Sequence, residues 1–276
     1  MSEYTREEIL KLIEENGGPE GLDLSGKDLS GIDLSREAIE AELAGVQGKA
    51  RGESPVWYSE SIGGINLENA NLQGARLSNA NLQGAILASA NLQRAYLLCA
   101  NLQSAHLINA DLQGAHLREA NLQGADLGRA NLQGAHLRDA NLLGAELEDA
   151  DLQGAYLWSV NLQGAFLSGA NLQGADLMNA DLQGANLLGA KLQKAILRGV
   201  KLQKVNLTAA DLQGAELSYS HLEKVDFFGA ESLEGAYFYN AFLDDTRMRR
   251  EQLGEAIGEE LDGLSLIHIS EPTRPY

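Results

Sequence analysis

Residues 121–140 read NLQGADLGRANLQGAHLRDA, with leucine at every fifth position (Leu122, Leu127, Leu132, Leu137) and an alanine three residues after each one. On an α-helix, which turns about 100° per residue, a five-residue step carries each successive leucine about 140° around the axis, so no apolar face forms. On one straight strand the side chains alternate faces, and an odd step sends successive leucines to opposite sides. The remaining solution is a chain that runs extended for about three residues, turns a corner in two and repeats. Each leucine then points at one central axis, and the sequence specifies a solenoid.

Written as Ala120-Asn121-Leu122-Gln123-Gly124, then Ala125-Asp126-Leu127-Gly128-Arg129, the register puts alanine and leucine two apart on the inward side, with the residue between them outward and a polar or small pair at the corner. From Ile65 to Gly229 there are 33 such units without an insertion, centred on leucine in all but Phe227, and 27 of them carry alanine at the other inward position. A small residue is needed where neighbouring corners crowd the interior, because gaps in so narrow a core cost stability as cavities do. Each buried leucine contributes about 1.5 to 3 kcal/mol before chain entropy is counted. The column can therefore hold a rod together without metal or disulfide.

The signature A-(D/N)-L-x-x, as in Ala70-Asn71-Leu72-Gln73-Gly74, resembles the pentapeptide-repeat proteins over roughly residues 22 to 250. The resemblance implies an all-β fold, a right-handed quadrilateral β-helix with four units per coil. On that basis the 33 units make about eight coils, and a spacing of roughly 4.8 Å per coil gives a rod of roughly 40 Å.

Capping helices are expected at both ends, since a solenoid leaves an unpaired sheet edge at each. Residues 1–18 are read as an N-terminal capping helix: Thr5 and Glu8 form a capping-box pattern ahead of Ile9, Leu10, Leu12 and Ile13, and Gly17-Gly18 stops it. First repeats follow over residues 22–36, centred on Leu24, Leu29 and Leu34. Residues 37–64 break the frame as an insertion, with a second short helix suggested by Ile39, Leu43 and Val46, and a loop in which Trp57 and Tyr58 are expected to pack on the rod. The main β-helix is expected over residues 65–245, with one extra residue after Gly229 and centres at Leu233, Phe238 and Leu243. Residues 246–263 read as a C-terminal capping helix, capped by Thr246 with Leu253, Ile257 and Leu261 on one face. The last thirteen residues, LSLIHISEPTRPY (264–276), resemble the translation of a sequencing adapter and are read as a non-native tail that replaces the natural C-terminus.

The formal charge is −18, a balance that suggests imitation of nucleic acid. Some pentapeptide-repeat proteins resemble DNA in shape and charge and protect DNA gyrase from quinolones. The distribution argues against that role. Residues 65–229 hold 15 acidic and 11 basic side chains, whereas residues 1–64 hold 14 and 6, and residues 230–276 hold 10 and 4. Most of the charge is therefore at the ends. Gyrase-protecting members also favour phenylalanine at the central position, where this chain uses leucine. DNA gyrase is the less favoured but testable partner. The basic cluster Lys191, Lys194, Arg198, Lys201 and Lys204 reads as a solvated face rather than a nucleic-acid site, because no aromatic platform accompanies it.

A second period of ten alternates Asn/Asp-Leu-Gln-Gly units with freer ones. On a four-sided coil it places uniform units on two opposite faces and variable units on the other two. One uniform face stacks Gln73, Gln93, Gln113, Gln133, Gln153, Gln173, Gln193 and Gln213, whose amides can bond between coils as in cross-β ladders. One variable face stacks Tyr96, His116, His136 and Tyr156 beside Leu98, Arg118, Arg138, Trp158 and Met178, and this is the candidate interaction face. The aromatic residues Phe227, Phe228, Tyr237, Phe238, Tyr239 and Phe242 are candidates for an end plug or a homodimer interface.

Catalysis finds little support. No nucleophile elbow, phosphate-binding loop or H-E-x-x-H motif occurs. Glu146, Glu148 and Asp149 fall on a convex surface, where nothing excludes water. His116 and His136, near Glu119 and Asp139, lack the dense ligand set of a metal site, so no metal or cofactor is expected. The single cysteine, Cys99, excludes an internal disulfide and suits a reducing compartment. No signal-peptide pattern or apolar span of membrane length is present, so a cytoplasmic protein with no membrane contact is expected. The expectation is a non-enzymatic scaffold that binds a protein partner not named by the sequence.

Overall fold

The computed structural model describes residues 3–19, 21–35, 64–243 and 246–248. Along the rod, the outward residue of each unit makes a parallel bridge to the residue 20 positions on: Asn66 to Ile86, Asn71 to Asn91, Arg76 to Tyr96, Asn81 to Asn101. These four columns make one coil, so the coil has four sides and the uniform and variable units alternate around it. Main-chain hydrogen bonds run both ways from each rung: Leu72 N donates to Asn91 O (2.7 Å), and Asn91 N donates to Ala70 O (2.9 Å).

The interior is what the five-residue period demands. From Ile65 to Phe227 no residue at either inward position is more than 7% exposed. Each corner closes with a local bond, as where Ala75 N donates to Leu72 O across Gln73 and Gly74 (3.0 Å). Gly74 stands at φ +65°, the arrangement of a type II turn. Every unit from Ile65 to Lys224 repeats it, so the last position is left-handed whether it holds glycine or, as at Arg94 (φ +54°) and Lys194 (φ +58°), a residue that pays for the conformation.

The outward Asn or Asp of the uniform units is structural. Asn71 Oδ1 accepts from Gln73 N (3.2 Å) and so holds its own corner, and it also accepts from Asn91 Nδ2 in the next coil (3.1 Å). On the opposite uniform side Asn101, Asn121, Asn141 and Asn161 each donate to the asparagine of the coil before, forming a continuous amide ladder. The glutamine column bonds in two ways. Gln73 donates to Gln93 (3.3 Å), Gln113 to Gln133 (3.4 Å) and Gln153 to Gln173 (3.4 Å). Gln93, Gln133 and Gln193 turn instead to the carboxylates of Asp111, Asp151 and Asp211 at 2.5–2.6 Å. The cause is the neighbour. An asparagine spends its N–H on the coil below, whereas an aspartate offers a second acceptor oxygen there and needs a donor.

At the start, α1 (Arg6–Asn16) carries the capping box: Glu8 N donates to Thr5 Oγ1 (3.2 Å) and Thr5 N donates to Glu8 Oε2 (2.7 Å). Gly17 ends it in the left-handed region. Ile9 and Ile13 are fully buried in the leucine core, with Leu10 and Leu12 packed partly against it. The first repeats then stack beneath the rod, since Asp23, Asp28 and Asp33 bridge to Asn66, Asn71 and Arg76. These partners are 43 rather than 20 positions apart, so this coil carries 23 additional residues. The second short helix and the Trp57 and Tyr58 loop assigned to that insertion lie outside the described residues.

Beyond Gly229 the bridges lengthen to 21 positions, from Asp211 to Ser232 and from Glu216 to Tyr237, as the extra residue in the sequence requires. The ladder does not stop at residue 245. Arg247 bridges to Asp226, and Thr246 is buried with its hydroxyl donating to Leu222 O (2.7 Å). Thr246 thus occupies an inward position of the stack, where the sequence reading made it a helix cap. The helix read through Leu253, Ile257 and Leu261, and the tail after it, lie outside the described residues.

Candidate functional site

The two variable sides are where side chains are left over after the ladders are satisfied. On one, Tyr96, His116, His136 and Tyr156 follow each other rung by rung in the bridge column, and their rings form a single stack. Centroids are 5.0 Å apart from Tyr96 to His116, 5.0 Å from His116 to His136 and 4.8 Å from His136 to Tyr156, with planes within 12° of parallel. The spacing follows from the backbone, because parallel rungs sit about 4.8 Å apart and rings in register have no other distance to adopt. Tyr96 is 48% exposed and Tyr156 52%.

Leu98, Arg118, Arg138, Trp158 and Met178 line the corner beside this stack, and Leu98 and Trp158 are exposed. Arg138 lies 4.3 Å from the centre of the Trp158 ring, a cation–π contact, while its Nε also pairs with Asp139 (3.0 Å). Arg118 pairs with Glu119 at 2.8 Å. The carboxylates that the sequence places near the histidines therefore engage the arginines. Burial, and then the neighbouring His116, push the His136 imidazole below its ordinary value of 6.5, which favours the neutral ring. Among the described residues no three His, Cys, Asp or Glu side chains are grouped to hold a metal ion.

The six C-terminal aromatics do not form one cluster. Phe227 and Phe238 stand edge to face inside the core, 5.9 Å apart. Phe242 stacks on His221 (4.7 Å) on a uniform side, and Tyr237 and Tyr239 extend the tyrosine–histidine side. Phe228 is exposed near the corner of the opposite variable side. The extra residue near Glu231 decides this, since it resets which positions face inward. Two features escaped the sequence reading. Arg198, assigned to a solvated basic face, lies 5.0 Å from the Tyr219 ring. The opposite variable side also exposes apolar groups, with Ile108, Phe166 and Leu188 all above one third exposed. A count of outward apolar residues column by column would have found them.

A four-sided stack of bridged coils with inward leucine is the architecture of a pentapeptide-repeat solenoid. The family model for pentapeptide repeats matches the chain in eight copies over residues 65–245, in overlapping segments from 65–97 to 206–245, so the chain belongs to the pentapeptide repeat family. HetL, a pentapeptide repeat protein involved in heterocyst differentiation regulation from the cyanobacterium Nostoc sp. strain PCC 7120, is 29% identical over 88% of this chain and 94% of its own, with a TM-score of 0.55. A pentapeptide repeat protein of the Arabidopsis thaliana thylakoid lumen is 27% identical over 40% of this chain and 72% of its own, at a TM-score of 0.30. Full-length QnrB1, a plasmid-mediated fluoroquinolone resistance protein, is 18% identical over 84% and 96%, at 0.32. No curated protein sequence matches the chain. No described helix is long and apolar enough to cross a membrane.

Proposed function

We propose that this chain is a right-handed quadrilateral β-helix, closed by a helix at each end, that works as a non-enzymatic cytoplasmic scaffold and binds a protein partner through its tyrosine–histidine face. The observation that carries the reading is the exposed four-ring stack from Tyr96 to Tyr156, flanked by Leu98 and Trp158. Aromatic rings with a polar edge supply contact area at low entropic cost and are enriched at interfaces. The involvement of HetL in heterocyst differentiation regulation supports a reading of the same class. Exchanging Trp158 and Met178 for serine tests the reading. The double variant is expected to keep the wild-type circular dichroism and melting point and to lose a partner that immobilised wild-type protein retains; retention by both would sink it.

The formal charge of −18 favours a second reading, a regulator that binds DNA gyrase by imitating DNA. A supercoiling assay with and without a quinolone separates the two, since inhibition or drug protection would establish the gyrase reading. The C-terminal aromatics fit a division of labour, with Phe227 and Phe238 plugging the core and Phe228, Tyr237, Tyr239 and Phe242 left for a homodimer contact.

A further inference from the structure

At neutral pH the tyrosine–histidine face is close to charge balance. Arg118 is paired with Glu119 at 2.8 Å and Arg138 with Asp139 at 3.0 Å, each pair on its own corner. In the bridge column, Arg76 precedes Tyr96 and Asp176 follows Tyr156, one group of each sign. On the uniform side before this face, Asp111 and Asp151 accept bonds from Gln93 and Gln133, and at the shared corner Arg94 has its Cγ 3.7 Å from where a Cβ on Gly114 would stand. The uniform side after it presents the uncharged amide ladder of Asn101, Asn121, Asn141 and Asn161. The groups left to change charge between about pH 5 and 8 are His116 and His136.

Their rings stand 5.0 Å apart with planes 9° from parallel. The carboxylates on their corners are engaged by the arginines, and among the described residues no carboxylate hydrogen-bonds either ring. His221 is built differently, with its Nδ1 3.4 Å from Glu223 Oε1, an acceptor for the proton. We propose that His116 and His136 form an acid-sensitive switch within this face: uncharged and stacked at neutral pH, the pair takes one proton on mild acidification and accepts a second only as the rings swing apart. Two positive charges held at ring-stacking distance repel, so the pair gains its protons in two steps. The ladders on either side fix the backbone pitch, which leaves side-chain torsions as the means of separating the rings. The face then becomes cationic. A protein that covers it must bury that charge without a partner, so acidification releases the protein. This last consequence rests on the scaffold reading's choice of face, whereas the switch itself does not.

Partial burial, and then His116, hold the His136 imidazole below 6.5. The unfolded chain therefore binds more protons as pH falls through 6.5, and stability present above that value is lost on acidification. Nuclear magnetic resonance of the full chain with labelled histidine, titrated from about pH 8 to about 5, tests the switch. The His136 midpoint is expected below 6.5 in the wild type, to move up toward 6.5 in H116N and in H116Q, and to stay in place in H106N, which lies on the opposite variable side. Circular dichroism checks that each variant is folded. Cross-peaks between the two rings are expected at the neutral end and lost at the acid end. The melting point is expected to drop between pH 6.5 and about 5 by more in the wild type than in H116N. A wild-type midpoint at or above 6.5, a midpoint that H116N and H116Q leave unmoved, or cross-peaks that survive when both rings are charged would each overturn the proposal. None of these readouts requires the partner. The scaffold reading, tested at neutral pH through Trp158 and Met178, therefore fails or stands separately.

Discussion

A five-residue unit works because each of its positions has one task. Gly144 shows the corner's share: it stands at φ +62°, and an added Cβ would meet nothing within 4 Å. Gly144→Ala should therefore cost only the conformational penalty, about 1–2 kcal/mol, read from urea denaturation. Asn141 holds three bonds, accepting from Leu143 N and Asn161 Nδ2 and donating to Asn121. Its replacement by alanine should lower stability by about 1–3 kcal/mol, because partners in both neighbouring coils lose their bonds. Asp181 gives the ladder a pH dependence. Burial raises its affinity for a proton, but bonds from the Gln163 side chain, Gln183 N and Lys201 together outweigh that, and its carboxyl titrates below the ordinary 3.8. A group held low in the folded state stabilises above its unfolded value, and that contribution is lost as pH falls through the folded one. Asp181→Asn should accordingly lower stability near neutrality, with the deficit shrinking as pH falls below about 4, so that the acid limb of the stability curve is flattened.

At the scale of the element, the coil depends on its inward pair. Leu137 is fully buried, and Leu137→Ala should cost about 2–5 kcal/mol in denaturation, since a stack of fixed pitch cannot collapse onto the cavity. This part of the fold was legible in the sequence, because an inward position tolerates few residue types and so prints its period directly. The asparagine ladder was not. An outward amide and a solvated one look alike in sequence, and what distinguishes them is a partner 20 residues away. The glutamine column was legible as a stack but not in its alternation, which depends on whether the facing residue is Asn or Asp. The aromatic stack was legible as a column of residues, since position in the coil follows from counting. Its arginines were not, because their pairing with Glu119 and Asp139 depends on side-chain torsions that no period encodes. Thr246 takes a buried place on the rung, which the sequence alone does not reveal because a threonine at a repeat boundary suits both a buried rung and a helix cap.

For the molecule as a whole, each coil is bonded to the one before and the one after, as in other solenoids. Removing residues 121–140 takes out one coil and restores the same register, joining Ala120 to Asn141. That shortened chain should fold with a rod about 4.8 Å shorter by small-angle scattering. Removing only residues 126–130 rotates everything after the cut by one side, so asparagine ladders would run into the tyrosine–histidine column. That chain should melt well below wild type, by more than the loss of one buried leucine explains. Equal melting points for the two deletions would mean that the side-chain columns contribute little.

The regular pitch of the amide ladders also acts as a set of identical notches. A molecule touching only the uniform sides would rest equally well at each step and could slide along the rod without preference. The variable sides break that equivalence, because the order Tyr, His, His, Tyr occurs at one height only. Position along the rod is therefore written in side chains that contribute little to holding it up, and surface changes there can relocate a bound molecule while the scaffold stays the same.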